Sequence, residues 1–315
     1  MTALNQTLII KAPVRQPPAQ RAAPATLRAV VLLDGGVRPN SFAQCIQRSV
    51  LDLPVDANHS VLQLWLDQVD RLRCSLGLDR LPMRVRTGSA HRGPRRSSTR
   101  AGPTVLLEND PVSFRGTAGV LRDVASAYQD HDNLLAIAGG QIPLVPLDRV
   151  FATMADARGD LTLLANPDQS PAEVLLFSAR TMRAVSTRGY VDLKEQALPR
   201  IARDHRVMVA RLPRPAAAPI RSRREYLTAL RQYHRASRAG WMDPHEQQCF
   251  SSFAICEAGS RAAESAMLHD SVVLDGGIVE SGAVVVRSVV CAGGRVKAGQ
   301  TVVDATVCGR GLEPA

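Results

Sequence analysis

Residues 271–303 read SVVLDGGIVESGAVVVRSVVCAGGRVKAGQTVV, and an aliphatic returns every six positions, at Val272, Ile278, Val284, Val290, Val296 and Val302. Small residues stand four positions after the first four of them, at Gly276, Gly282, Ser288 and Gly294. A period of six is neither the 3.6 of a helix nor the 2 of a strand. It matches the hexapeptide repeat of a parallel β-helix, where each flat side buries one aliphatic and the chain turns at small residues. The tail is therefore expected to form a short parallel β-helix over 268–307. An ordinary hairpin or meander is the alternative for a valine-rich stretch.

Upstream the pattern changes. From 27 to 236, β-like runs alternate with longer amphipathic stretches. RAVVLLDG (28–35), TVLLEN (104–109), NLLAIAGG (133–140) and DLTLLAN (160–166) read as strands. SVLQLWLDQVDRLRCSLG (60–77) carries its apolar residues at helical spacing, as do TAGVLRDVASAYQ (117–129) and PLDRVFATMADARG (146–159). EVLLFSARTMRAV (173–185) reads as a strand running into a helix. Alternation of this kind implies an α/β domain with a mainly parallel sheet covered by helices. Ligands of such sheets bind at the carboxyl ends of the strands, where the glycine-bearing segments 35–38 and 139–140 fall. Residues 1–26 form a polar, Pro/Ala-rich lead-in expected to be disordered. Residues 237–267 read as a linker with some helix.

Composition narrows the class. The 315 residues are 45% hydrophobic, enough for a substantial core. The apolar runs fall far short of the roughly 18–20 residues that cross a bilayer, and the N-terminus has no apolar signal core before a small-residue cleavage site. A cytoplasmic protein without a membrane anchor is expected. The formal charge of +10 comes almost wholly from arginine, since lysine occurs only at Lys11, Lys194 and Lys297. Aromatics are 4% of residues and none interleave with the densest basic stretch, RVRTGSAHRGPRRSSTR (84–100). With no platform for base stacking, nucleic acid is not the expected partner, and 84–103 reads as a basic loop. The six cysteines (Cys45, Cys74, Cys249, Cys256, Cys291 and Cys308) show no CxxC pair, so they are expected to be reduced, mostly buried small hydrophobes.

The order of motifs resembles the sugar-1-phosphate nucleotidyltransferases, such as the glucose-1-phosphate and mannose-1-phosphate enzymes, over about 28–236 for the catalytic domain and 268–307 for the tail. FRGTAGVLRDV (114–124) is the most specific match. The resemblance implies a Rossmann-like nucleotidyltransferase domain and a left-handed β-helix. It also places the backbone of Gly116, Thr117, Ala118 and Gly119 against a nucleobase. As a bare sequence feature the same stretch is a helix start with glycines for the turn. YVDLKEQALPRI (190–201) is similar to a segment that touches the sugar phosphate in relatives, which marks Asp192, Lys194 and, at the end of the central strand, Gly139. The alternative for Asp192 is an exposed helix start.

VVLLDGGVRPNSF (30–42) departs from that family. Its loop reads approximately LAGGxGTRL, with backbone N–H groups cradling a triphosphate. Here Leu33, Gly35 and Gly36 hold their places, but Arg38, Pro39 and Asn40 replace the third glycine, the hydroxyl residue and the arginine. Pro39 has no N–H to offer and restricts Arg38. QRSVLDLPVD (47–56) keeps Leu53, Pro54 and Val55 but lacks the phosphate-binding lysine, leaving Arg48 nearby. Relatives end the central strand with Gly-Asp, whose carboxylate holds Mg²⁺; this chain has Gly139-Gly140. No aspartate stands in PIRSRREYLTAL (219–230), where a second metal ligand is expected, and the Glu-Lys-Pro element is missing.

Two functions remain open on the sequence. One is a degenerate nucleotidyltransferase-fold protein that binds a nucleotide or sugar phosphate, or that regulates or scaffolds a partner. The other is a divergent working enzyme of polysaccharide biosynthesis, with Arg38 and Arg48 on phosphates and Mg²⁺ held by the nucleotide or by Glu108 or Asp110. An acyltransferase is disfavoured, because two turns offer little groove and His269 is the only histidine near the tail. The tail is expected to pack on the main domain or to join subunits into a homo- or hetero-oligomer.

Overall fold

The computed structural model describes residues 27–34, 41–88, 94, 104–109, 115–238, 252–309 and 311–313. The lead-in 1–26, the loop 35–40 with Gly35, Gly36 and Arg38, and Asp110 lie outside the described residues, as does Cys249.

The α/β unit starts with β1 (Leu27–Asp34), α1 (Ser41–Ile46), α2 (Val61–Ser75), β2 (Met83–Thr87), β3 (Val105–Asn109), α3 (Gly116–Ala125), β4 (Asn133–Ala138) and β5 (Gln141–Pro143). It continues with α4 (Leu147–Asp156), β6 (Leu161–Ala165), β7 (Pro171–Ser178), α5 (Ala179–Arg183), α6 (Leu198–Asp204), β8 (Val207–Arg211), β9 (Ala217–Pro219) and α7 (Arg223–Arg238). The tail holds β10 (Ala254–Cys256), β11 (Arg261–Ala262), β12 (Met267–His269), β13 (Ser271–Val273), β14 (Ile278–Val279), β15 (Val284–Val286), β16 (Val289–Val290), β17 (Arg295–Val296), β18 (Thr301–Val303), β19 (Thr306–Cys308) and β20 (Gly311–Glu313).

Seven strands form the main sheet in the order β3-β2-β1-β4-β7-β6-β8. Strands β1 to β4 run parallel to one another, as do β6 and β8, while β7 is antiparallel to both of its neighbours. The sheet is thus mostly parallel, as the alternation of elements implied. Strand β1 is central and alternates between two cores. Val30 and Leu32 face a cluster shared with α2, α4 and α7, and Ala29 and Val31 face a cluster shared with α3 and α5. Both faces are covered, which is why β1 reads as a continuous apolar run.

The stretch read as a basic loop begins instead as a strand. In β2, Met83, Val85 and Thr87 are buried on one face, while Arg84 and Arg86 point to the other and pair with Glu108 of β3. The period-2 pattern M-R-V-R-T was present, but its arginines had been counted as solvated charge. They sit in partly buried ion pairs of 2.7 and 3.1 Å.

In the tail the chain visits three sheets in turn, and each strand from β10 to β16 pairs in parallel with one 17 residues on, while β20 closes the stack antiparallel to β19. Val272 lies beside Val289, Ile278 beside Arg295, and Val284 beside Thr301. The strict period of six therefore does not hold. The inward residues are Val273, Val279, Val285, Val290, Val296, Val302 and Val307, so two steps of six alternate with one of five. Valine pairs at 272–273, 284–285 and 289–290 supply an aliphatic in either register, and a sixfold count threads them without noticing the short step. Strands β10, β11 and β12 also correct the reading of 237–267, because the segment from Ala254 onward forms the first layer of the stack rather than a linker with helix.

Val272 is buried, but in the other direction. With Leu274, Val289 and Cys291 it belongs to the same apolar cluster as α2, α4 and α7. One outer face of the stack is therefore part of the α/β core. Arg48 and Glu257 clamp this joint through two hydrogen bonds of 3.0 and 2.8 Å, with side chains only 10% and 23% exposed. Arg231 of α7 reaches Asp270 at 2.6 Å. No helix among the described residues is long and apolar enough to cross a membrane.

Removing one partner of a largely buried ion pair leaves the other charge stranded. Glu257→Ala is expected to cost about 3 kcal/mol and to split unfolding into two transitions, with the tail melting first. Differential scanning calorimetry checks this; a single transition at the wild-type temperature would show that the pair does not hold the joint.

Candidate functional site

From β1 the chain passes to β2 and β3 on one side, and β4 returns to β1 on the other. The strand order thus reverses between β1 and β4, and the crevice at the carboxyl ends of these strands is where α/β sheets bind ligands. On the β4 side Gly139 donates its N–H to the Leu33 carbonyl at 2.7 Å. A Cβ on Gly139 would meet that oxygen and the Leu51 side chain at 3.1 Å. This glycine fits because three pieces of chain converge on it. Gly140 accepts from the Ile220 N–H at 2.8 Å.

On the β1 side stands a residue that the sequence reading passed over. Asp34 ends an otherwise apolar strand and is 3% exposed. Its Oδ2 accepts a 2.8 Å hydrogen bond from the Ser49 hydroxyl. That hydroxyl in turn accepts from the Leu51 N–H at 3.1 Å, capping the short turn Val50–Asp52 that covers the crevice. Burial pushes the Asp34 carboxyl up to about 6, against the opposing pull of the Ser49 hydrogen bond. In register beside it lie Thr87 and then Asn109, joined by a 2.7 Å hydrogen bond from the Thr87 hydroxyl to Asn109 Oδ1. The parallel strands therefore end in a polar row on the face shared with α2. The signal in the sequence was a carboxylate at the last position of RAVVLLD, directly before the glycine pair.

The other expected site residues are placed elsewhere or are engaged. Arg48 is held by Glu257, so its guanidinium is turned into the joint with the tail. Glu108 receives hydrogen bonds from Arg84 and Arg86. Desolvation raises its pKa, but the two arginines outweigh this and hold the carboxyl below its ordinary value. Among the described residues no group of three His, Cys, Asp or Glu side chains comes together as a metal ligand set.

The segment Gly116–Gly119 opens α3 on the opposite face of the sheet from Asp34. Gly116 has φ +68°, and a Cβ there would lie 2.4 Å from the Val191 carbonyl oxygen. The Val191 N–H donates to Arg115 O, and Ala118 N–H donates to Val191 O. Arg115 lies over Gly119 and pairs with Asp123 at 2.7 Å. Gly116, Ala118 and Gly119 are buried beneath these groups. Asp192 lies beside them as a helix cap, accepting from the Lys194 and Glu195 N–H groups at 2.7 and 2.8 Å. Lys194 is exposed. Among the described residues the structure thus places Gly139 at the β1–β4 crevice, Arg48 in the joint with the tail, and Gly116–Gly119 with Asp192 at the start of α3. The cysteines also differ from expectation, since of those described only Cys291 is buried.

No family profile and no curated protein matches the chain. Among solved structures it is similar to the crystal structure of a Mycobacterium tuberculosis rv0371c homolog from Mycobacterium sp. strain JC1, at 13% identity and a TM-score of 0.43. That match covers 66% of this chain and 99% of the other. A second similar structure is a Bacillus anthracis protein provisionally named a glucose-1-phosphate thymidylyltransferase, in complex with a sucrose. It has 11% identity and a TM-score of 0.48, over 66% of this chain and 95% of the other. No residue's role is carried over from either.

Because the folded pKa of Asp34 lies above its ordinary 3.8, its contribution to stability is complete below about pH 4 and is lost as pH rises through 6. Asp34→Asn keeps an acceptor for Ser49 without the charge. It is expected to raise stability by about 2 kcal/mol at pH 8 and to flatten the slope between pH 4 and 6; thermal unfolding across pH reads both. Gly116→Ala is expected to destabilise by at least about 2 kcal/mol, from backbone strain and the clash with Val191. Chemical denaturation measures it, and a neutral result would mean that the 190–193 segment is free to move away from α3.

Proposed function

We propose that the chain is a nucleotidyltransferase-fold protein of the sugar-nucleotide group that has given up transfer chemistry. It serves as a binding, regulatory or scaffolding component in the cytoplasm, in a setting such as polysaccharide biosynthesis. One observation supports this reading: the described side chains that would be turned toward phosphate and metal, Arg48 and Glu108, are engaged by the protein itself. Arg48 is bound by Glu257, Glu108 by two arginines, and Gly139-Gly140 stand where a metal carboxylate would be needed. The described residues therefore do not fit a protein-held Mg²⁺ ion, and no step is routed through one.

The β1–β4 crevice, with Asp34 and Gly139 on its two sides and the polar row continuing to Thr87 and Asn109, is in this reading where a nucleotide or sugar phosphate rests. Gly116–Gly119 and Asp192 then serve packing more than base recognition, since Val191 and Arg115 already occupy their near side. The stacked tail is read as a left-handed hexapeptide-type β-helix with one shortened step per turn. One of its faces is already used within the chain, and its remaining outer faces are available for joining subunits.

A second reading, a divergent active enzyme, is favoured by one feature. Asp34 is an ionisable carboxylate retained in the ligand crevice, where the resembled motif has alanine.

A thermal-shift screen of ATP, GTP, CTP, UTP and dTTP with and without Mg²⁺, paired with a pyrophosphate-release assay on hexose 1-phosphates, separates the two. The proposed function expects any shift to be independent of Mg²⁺ and pyrophosphate release to stay at the buffer rate. Turnover that needs Mg²⁺ would overturn it, and loss of that turnover in Asp34→Asn would establish the second reading.

A further inference from the structure

Three features outside the crevice carry exposed apolar or charged surface. The exposed Leu106 and Leu107 on edge strand β3 are flanked by segments outside the described residues, and nothing shows what covers them. The shallow hollow around Arg295 and Lys297 is open at the end of the stack. The third is different in kind.

Between α7 and the tail lies a cavity of about 510 Å³, lined by Arg223, Arg224, Thr228 and Arg231 on the helix and by Arg287 and Asp304 on the tail. Its tail wall is built by the 17-residue pitch. Asp270, Arg287 and Asp304 stand 17 residues apart, and all three adopt positive φ, at 48°, 46° and 51°. They therefore stack at one corner of the coil. Its helix wall is built by the 3.6-residue period, which brings positions 223, 224, 227, 228 and 231 to one side of α7.

The charges in this place do not balance. Arg287 is satisfied by Asp304 through bonds of 2.9 and 2.6 Å, and Arg231 by Asp270 at 2.6 Å. That leaves Arg223 and Arg224 with no hydrogen-bonded carboxylate among the described residues, and among these the buried Arg223 Nε has no partner. Desolvation, opposed by Asp304 and reinforced by Arg287, pushes its pKa down. At the start of α7 the Glu225 N–H donates to the Ser222 hydroxyl, and the Glu225 carboxylate accepts from the Arg221 N–H. Recognition here would come from guanidinium groups rather than from the helix end.

Two guanidinium groups with no carboxylate bonded to them, beside Arg287, form a costly arrangement that an anion in the cavity relieves. The planar, forked guanidinium suits phosphate oxygens, and the volume is within the range of small-molecule sites. We propose that this cavity binds a small phosphorylated molecule through Arg223 and Arg224, bridging α7 and the tail. The site is separate from the β1–β4 crevice and does not depend on the function proposed for it. Because its walls belong to both parts of the chain, occupancy would tighten their joint.

The test is isothermal titration of the full chain with pyrophosphate and with glucose 6-phosphate at constant ionic strength, alongside melting curves. Saturable binding is expected, weakened about tenfold or more in Arg223→Gln. The melting temperature of unliganded Arg223→Gln should not fall, since the substitution removes a charge whose desolvation outweighs its attraction to Asp304. Asp304→Asn should tighten binding, because it removes the lining carboxylate and frees Arg287; a purely structural role for Asp304 predicts the opposite sign. Arg203→Gln, on α6, should bind as the wild type does. Tighter binding of glucose 6-phosphate would assign the site to organic phosphates, and tighter binding of pyrophosphate to inorganic ones. No saturable binding of either probe, or equal binding by Arg223→Gln, would overturn the proposal.

Discussion

Burial of one outer face of the tail in the α/β core is the constraint on which the rest of the molecule depends. Val272, Leu274, Val289 and Cys291 are outward residues of the stack and yet belong to the cluster built on β1, α2, α4 and α7. Once that face is apolar and covered, the chain's two parts share a core. Polar groups near the joint must then find partners inside it, because water is excluded. Arg48 and Glu257 do so, and this takes Arg48 away from the crevice. Asp270 and Arg231 do so at the far side of α7, and their neighbours Arg223 and Arg224 are left lining a basic cavity. The functional arrangement of the arginines is thus a consequence of how the tail docks.

The crevice itself shows a second trade. A carboxylate at the end of a fully buried strand is destabilising when charged, and among the described residues the Ser49 hydroxyl supports Asp34 there. Packing alone would favour the alanine of the resembled motif at this position. The polar row of Asp34, Thr87 and Asn109 is therefore the part of the domain that packing does not explain, and perturbed ionisation in a cleft is a mark of functional sites. The start of α3 is the converse case. Its glycines carry the resemblance most clearly, yet Gly116 is required by the Val191 carbonyl and Gly119 by the Arg115 side chain. A motif can persist for the chain's own packing after any need for a ligand has gone.

Much of the architecture was legible in local pattern. The alternation of apolar runs with 3.6-period stretches placed β1, β3, β4, β6 and β7 and the helices α2, α3, α4 and α5, and with them a mostly parallel sheet. The tail announced itself through its aliphatics. Errors arose where two patterns overlapped. Arginines on alternate positions of β2 hid a strand inside a charge run, and paired valines hid the five-residue step of the coil. Asp34 lies at the end of the strand RAVVLLDG, and nothing local separates its carboxylate from an ordinary polar residue at a strand end.

Sequence alone determined what depends on residues close together in the chain: strand and helix periodicity, the class of the domain, and the repetitive character of the tail. Tertiary structure alone decided which side chains meet. Arg48 and Glu257 are 209 positions apart, and nothing local to either marks the other as its partner. The same holds for Gly116 and Val191, for Asp34 and Ser49 across a turn, and for α7 and the corner of the coil. Periodicity constrains the face on which a residue lies, because backbone geometry is local. The identity of its partner is set by how faces pack, and that is a property of the whole chain.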